Sequence, residues 1–163
     1  MLQSLAQWLQ NTGLAQFISG SEWAFPTIET VHVLFLVLVV GTIAIVDLRL
    51  LGLASVHRPV SRLLEEVLPL TRFSFLMALI SGFLLFTSKA TEYVANWPFR
   101  LKMVLLLLAG LNMAVFHFVS YRDVNAWDDA RTPPRAARLA GGLSLAFWIG
   151  VVFFGRWIGF TTR

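Results

Sequence analysis

Four side chains with ligand or acid–base chemistry stand inside apolar segments of this sequence, where an ionisable group is costly unless it has a role. Glu29 and His32 are three residues apart, and Lys102 and His117 lie in a later apolar segment. Residues at this spacing share one face of a helix, so Glu29 and His32 can act together. A neutral imidazole is a good ligand for haem iron. The pattern indicates a haem or other metal site with His32 as the metal ligand, while Glu29 or Lys102 contacts a propionate, tunes the ligand or transfers protons.

His32 and His117 could form a bis-histidine haem only if they lay at the same depth. Counted from Pro26 and Pro98, where their helices are expected to begin, His32 is six residues deep and His117 nineteen. At the helical rise, this difference of 13 residues is roughly 20 Å. One iron cannot bridge that distance, so His117 is predicted to serve a separate cofactor-binding or proton-relay site.

A structural interpretation of the same residues stays open. Glu29 and Lys102 could form an ion pair that holds two helices together, with His32 merely hydrogen-bonded. If the site is enzymatic, Lys102 and Glu29 are the candidate catalytic residues. A di-iron bundle needs two Glu-x-x-His motifs and two further Glu. The sequence has one such motif, which disfavours a di-iron site.

A second group of ionisable residues stands near the far end of the first apolar segment. Asp47 and Arg49 belong to that segment, and Arg72 lies near the same end of the next one. The pattern predicts a salt bridge from Asp47 to Arg72 or Arg49 that fixes the register of the helices. On this interpretation, Asp47→Asn impairs folding rather than chemistry. The alternative makes His117 a proton-relay group that faces Asp47.

The elements that must position these groups are membrane helices. The 163 residues are 57% hydrophobic and 13% charged, whereas a soluble domain has about 25% charged residues. Extended by a turn at each end, four apolar stretches reach the ~20 residues that a bilayer requires. Backbone in lipid must hydrogen-bond internally, so these stretches are helices. The predicted fold is an all-α, integral membrane four-helix bundle with spans around Thr30–Val46, Phe73–Ser88, Met103–Tyr121 and Leu139–Gly155.

The first residues have a different character from the spans. Leu2, Leu5 and Trp8 recur at helical spacing among glutamines, which is typical of an amphipathic helix in the membrane interface. The predicted domains are therefore an amphipathic interfacial helix at 1–23 and a four-helix bundle at 24–163.

Charge distribution predicts how the bundle is oriented. The connections around Arg58 and Arg131 are rich in arginine and share one side of a four-span protein. By the positive-inside rule that side is the cytoplasm. The expected location is a bacterial inner membrane, with both termini periplasmic.

Composition also excludes several classes of function. The sequence has no cysteine, which rules out disulfides, thiolate metal sites, iron–sulfur clusters and cysteine nucleophiles. The net charge of +4 fits arginine-rich membrane loops rather than nucleic-acid binding. The expected partners are the lipid bilayer and, where the chain acts as a subunit, a homo-oligomer or larger membrane complex.

Two stretches resemble the copper-resistance-protein-D-like group, which includes the small bacterial membrane protoporphyrinogen oxidases. In "IETVHVLFLVLVVGTIAIVDLRLLG", the matching positions are His32, Gly41 and Arg49. In "SGFLLF…NWPFRLKMVLLLL", they are Trp97 and Lys102. The resemblance implies that the histidine and lysine are tied to haem binding and activity. The chain also resembles an uncharacterised group of bacterial four-helix membrane proteins with the same Glu-x-x-His and Asp-Leu-Arg-Leu-Leu-Gly signatures.

Two positions depart from the oxidase pattern. Where that group has a Trp shortly after the His, this sequence has Leu36-Val37-Leu38, and it has Leu111-Asn112 in place of a Tyr-His. The leading hypothesis is therefore a b-type haem protein that acts as an electron-transfer or haem-linked redox module. The alternatives are a porphyrinogen-type oxidase that uses His32 and Lys102, and a non-redox structural subunit of a membrane complex.

Overall fold

The computed structural model of the protein describes residues 1–161, which are helical almost throughout and contain no strand. Thr162 and Arg163, the last two residues of the predicted bundle domain, lie outside the described residues. Seven α-helices follow one another along this part of the chain: α1 (Leu2–Gln10), α2 (Gly13–Gly20), α3 (Ala24–Leu50), α4 (Val60–Ser88), α5 (Ala90–Ala95), α6 (Trp97–Val115) and α7 (Arg135–Thr161).

Four of these helices are long and apolar enough to cross a membrane, namely α3, α4, α6 with its continuation, and α7. Each contains one of the four predicted spans, which confirms the all-α four-helix membrane bundle. Beyond α6 the helix changes character at Phe116–Ser120, a π-helical turn, and continues as a 3-10 turn over Tyr121–Ala126. The sequence predicted an uninterrupted third span to Tyr121, so the widened turn at its end is a difference.

The helices pack as two hairpins. Helix α3 runs along α4, α6 runs along α7, and the two pairs join where α3 contacts α7. Four buried side chains meet at mid-height and define what we call the central layer: Val39, Ala109, Trp148 and Val151. This layer is apolar, and it separates the two ends of the bundle.

The terminal end of the bundle is the end at which α3 and α6 begin and α7 finishes. There the Asn96 amide donates to the Thr161 hydroxyl at 2.9 Å. The same end is covered by α1 and α5, which are joined because the Gln10 side-chain oxygen accepts hydrogen bonds from the amide and hydroxyl of Thr91, at 3.1 and 2.7 Å. The opposite end, with loops 51–59 and 127–134, is the loop end.

The N-terminal region contains the predicted amphipathic helix as α1, with Leu2 and Trp8 exposed. It also contains α2, a second short helix that the sequence did not predict. The chain turns between them at Thr12, whose hydroxyl accepts a hydrogen bond from the Ala15 amide and caps α2. The exposed apolar side chains of both helices, such as Trp8 and Phe17, suit contact with a membrane interface.

Candidate functional site

His32 of α3 turns its ring toward α4. Its Nδ1 lies 3.0 Å from the Ala78 carbonyl oxygen and 3.1 Å from the Ser81 Oγ. A carbonyl oxygen only accepts, so Nδ1 carries the proton, and Nε2 is left as the basic nitrogen of the ring. Ser81 in turn donates to the Met77 carbonyl at 2.7 Å. These contacts fix both the orientation and the tautomer of the imidazole.

The close approach of the ring to α4 depends on small residues. A Cβ placed on Gly82 would lie only 2.9 Å from His32 Cε1, so a larger residue there would displace the ring. Ala78 and Ser81 stand on the same face of α4, and both are buried. Ser81 and Gly82 therefore position the imidazole: Ser81 hydrogen-bonds the ring, and Gly82 leaves space for it. Small residues also allow helices to pack closely in general.

Lys102 of α6 lies at the level of His32. It is seven residues before Ala109 of the central layer, just as His32 is seven residues before Val39. Residues seven apart share a helix face, so both side chains project above the central layer toward the terminal end. Lys102 interacts electrostatically with His32, as the predicted depths require. Its half-buried side chain lies along Gly155 of α7, where an added Cβ would be 3.5 Å from Nζ.

The Lys102 ammonium group has no hydrogen bond or ion pair with any residue in the part of the chain that the structure describes. The ion pairs found there join Arg58 and Arg62 to Glu66, and Lys89 to Glu92. Glu29 is exposed and does not pair with Lys102. The interpretation of Glu29 and Lys102 as an ion pair between helices is therefore not supported.

Glu29 does not orient His32 either, because the Ala78 carbonyl and Ser81 occupy Nδ1. Instead it faces Tyr93 of α5, a residue that sequence reasoning missed. Burial raises the pKa of the Tyr93 phenol above its usual 10.0, and the neighbouring Glu29 and Glu92 carboxylates raise this pKa further. Glu92 in turn lies 4.0 Å from the Lys89 ammonium group.

An aromatic stack holds Tyr93 in place. Its ring centroid is 6.3 Å from that of Phe86 in α4 and 5.5 Å from that of Phe99 in α6, with nearly parallel planes. Helix α5 therefore bridges α4 and α6 above His32 and Lys102. Tyr93 follows α4 within a short polar connection, and no periodicity in the sequence pointed to it.

His117 is not part of this site. It lies in the π-helical turn near the loop end, is exposed, and stacks on Tyr121 with centroids 5.4 Å apart. The structure does not bring it to His32, in agreement with the depth argument, and it does not place it against Asp47.

The predicted salt bridge of Asp47 at the loop end is wrong. Asp47 was expected to form a salt bridge with Arg72 or Arg49, but within residues 1–161 it pairs with neither. Arg72 is exposed. The buried Asp47 carboxyl instead faces Ser144 of α7. The stated reason for expecting Asp47→Asn to impair folding is therefore absent.

Arg49 is fully buried and binds backbone rather than a carboxylate. Its Nε donates to the Arg58 carbonyl at 2.8 Å, and its Nη2 donates to the carbonyls of Asp128 and Ala130, both at 3.1 Å. Asp47 and Arg49 are two residues apart on a helix, so they project to different sides. Arg49 consequently ties both connections of the loop end to α3.

Asp128 is a second residue that the sequence did not single out. Its carboxylate accepts hydrogen bonds from the Ser61 amide, at 2.8 Å, and from the Ser61 hydroxyl. It therefore caps the start of α4 from another loop. No local sequence pattern signals this contact, because 67 residues separate the partners.

At the terminal end, His32 is the one histidine available as a metal ligand among residues 1–161. Over the described residues 1–161, no three His, Asp or Glu side chains come together as a metal site would require. One imidazole with a fixed Nε2 and a nearby lysine could provide one nitrogen ligand and one positive charge.

Comparison with known proteins places the chain in a family. No curated protein and no solved structure matches it significantly. A family model does match, and it covers residues 13–161, which include every residue of the site described above. The chain therefore belongs to DUF6644, a family of unknown function.

Proposed function

We propose that this protein is a small membrane b-type haem protein, an electron-transfer or haem-linked redox module, with His32 as the axial ligand. One observation carries the proposal: the Nδ1 of His32 is held by the Ala78 carbonyl and Ser81, and Nε2 is left as the ligand atom. Histidines that bind metals almost always donate their other ring N–H to such a partner.

The neighbouring residues fit the same group. Lys102 supplies a positive charge beside His32 and has no protein partner among the described residues. Its ammonium group is therefore available to pair with a haem propionate. Ser81 and Gly82 set the position of the ring. When bound, haem supplies a one-electron redox couple. The protein residues supply the ligand, the charge and the central layer that closes the site toward the loop end.

A porphyrinogen-oxidase-like enzyme is the second candidate. The observation that favours it is the unpartnered Lys102, because a half-buried lysine is available for acid–base work. The resemblance of the segments around His32 and Lys102 to the copper-resistance-protein-D-like group supports membership of that superfamily, which we include in the proposal. The arginines of the loop end support an inner-membrane location with periplasmic termini.

The test of haem binding is a pyridine-haemochrome assay with metal analysis on protein purified in detergent from haem-sufficient cells. We expect a Soret band in the unmodified protein, its loss in His32→Ala, and its retention in His117→Ala. His57→Ala is a second control, because His57 is exposed in loop 51–59. Absence of haem from the unmodified protein, or equal loss in His32→Ala and His117→Ala, would contradict the proposal.

A second measurement separates the redox module from the enzyme. Porphyrinogen oxidation is assayed with unmodified protein and with Lys102→Met. An oxidase loses turnover in Lys102→Met while pigment is retained. A module with no catalytic role shows no turnover that depends on Lys102.

A further inference from the structure

We infer that the His32–Lys102 site exchanges water and polar solutes only with the aqueous phase at the terminal end, through an entrance formed by Glu29, Glu92 and Tyr93. The inference rests on the site of the proposed function but not on haem occupancy. It assigns a side of the membrane to the site, and therefore a direction from which protons and polar reactants arrive.

The floor of the site is the central layer. Val39 and Val151 are 0% and 1% exposed, and Ala109 and Trp148 are also buried. His32 and Lys102 each stand seven residues toward the terminal end of this layer, or about 10 Å above it. All four side chains of the layer lack charge, and Val40, Ile43, Leu105, Leu106 and Phe147 pack against them. These side chains of α3, α6 and α7 give water no polar partner, so the layer seals the site from the loop end along these three helices.

Polar and ionisable side chains lie between the site and the surface of the terminal end. Glu29 is exposed one helical turn from His32 toward the terminal end. The Tyr93 phenol faces Glu29 and Glu92, and Lys89 lies beside Glu92. Half-buried and exposed ionisable groups thus line the terminal end on the outward side of His32 and Lys102.

The inference fixes the side of the membrane from which polar reactants enter and protons leave. A polar reactant reaches Lys102 from the side that carries the termini, and protons released at the site leave on that side. The Asp47 carboxyl lies on the far side of the central layer and takes no part in this exchange. It faces the Ser144 side chain of α7.

Cysteine accessibility tests the inference directly, because the chain has no cysteine and an introduced thiol is unique. Gly155→Cys is the reporter, since a Cβ there makes an ordinary 3.5 Å contact with Lys102 Nζ and leaves the site residues in place. Gly41→Cys is the matched control on α3, where a Cβ would meet nothing within 4 Å and the position is exposed to lipid. Ala109→Cys tests whether the probe can reach the central layer.

The membrane-impermeant probe is trimethylammonioethyl methanethiosulfonate, applied to full-length protein in vesicles of each orientation. A protease-cleavable N-terminal tag identifies the terminal side. We expect complete loss of free thiol in Gly155→Cys from the terminal side, none from the loop side, and none in Gly41→Cys or Ala109→Cys from either side.

Modification of Gly155→Cys from the loop side, modification of Ala109→Cys from either side, or no modification of Gly155→Cys at all would overturn the inference. If Gly155→Cys fails to fold, Lys102→Cys replaces it with the same expected outcomes. The assay does not depend on pigment, so it can fail while haem binding is confirmed, and it can succeed while haem is absent.

Discussion

The two ends of the bundle differ in whether their buried or half-buried cation has hydrogen-bond partners. At the loop end, the Arg49 guanidinium is fully buried and donates three hydrogen bonds to backbone carbonyls. At the terminal end, the Lys102 ammonium lies half-buried beside His32 without a hydrogen bond or ion pair among residues 1–161. Both residues stand in apolar helices, where a charge is expensive.

The difference separates a structural role from a functional one. Arg49 closes the loop end because its planar guanidinium reaches two connections at once, and Asp128 reinforces it by capping α4. Lys102 contributes no such contact, so its cost in the membrane is not offset by packing. The contrast predicts that mutations at the loop end act on stability, whereas mutations at the terminal end act on ligand binding and chemistry.

The largest effect is expected for Arg49→Met. The change removes the donor of the Arg58 and Ala130 carbonyls and one of the two donors of the Asp128 carbonyl. A buried unsatisfied carbonyl costs about 1–3 kcal/mol. We expect a loss of about 3 kcal/mol or more in the free energy of unfolding, measured by denaturation in detergent micelles. The variant should also give less monodisperse protein in size-exclusion chromatography.

Arg62→Met is the control for this prediction. Arg62 is an exposed cation whose contact is an ion pair with Glu66 at 3.5 Å. Such surface pairs contribute about 0–1 kcal/mol. Similar stability losses in Arg49→Met and Arg62→Met would show that the carbonyl contacts of Arg49 do not hold the loops.

A smaller effect is expected for Lys102→Met. Methionine has an unbranched apolar side chain and removes a charge that has no partner among the described residues. The free energy of unfolding should therefore stay unchanged or rise, while any ligand bound at His32 changes its affinity or spectrum. Lys89→Met is the control, since Lys89 lies at the surface beside Glu92. A stability loss in Lys102→Met as large as that of Arg49→Met would remove the distinction between the two ends.

Sequence reasoning identified what depends on hydropathy and helical rise. The four spans follow from apolar length, and the shared depth of His32 and Lys102 follows from counting residues along two helices that both begin at the terminal end. The separation of His117 from His32 follows from the same count. These predictions rest on one-dimensional properties that tertiary contacts do not alter.

The partners of the charges could not be predicted in this way. Asp47 was expected to pair with Arg72 or Arg49 because these residues lie near the same end of adjacent helices. Within residues 1–161 it pairs with neither, and its spacing from Arg49 directs the two side chains to different neighbours. Arg49 and Asp128 bind loop backbone, whose path depends on tertiary structure. Tyr93 is held by ring contacts with Phe86 of α4 and Phe99 of α6, which no local sequence pattern signals.

The smallest effect, and the finest test of the terminal end, is the titration of Tyr93. The chain has two tyrosines, so Tyr121→Phe leaves Tyr93 as the one phenol in the absorbance titration. Burial and then the Glu29 and Glu92 carboxylates raise its pKa above 10.0. In that background, Glu29→Gln should lower the pKa of Tyr93 without returning it to 10.0, because burial is the larger cause. Glu65→Gln, exposed near the loop end, should leave it unchanged.

The same shift has a consequence for stability. The unfolded chain releases this proton near pH 10, while folded Tyr93 retains it, so stability falls as the pH rises through and beyond 10. Tyr93→Phe should remove this component of alkaline unfolding. If Glu29→Gln leaves the Tyr93 titration unchanged, then Glu29 does not face Tyr93 in the membrane-bound protein. The polar entrance to His32 and Lys102 would then consist of other groups, although the Arg49 contacts at the loop end would be unaffected.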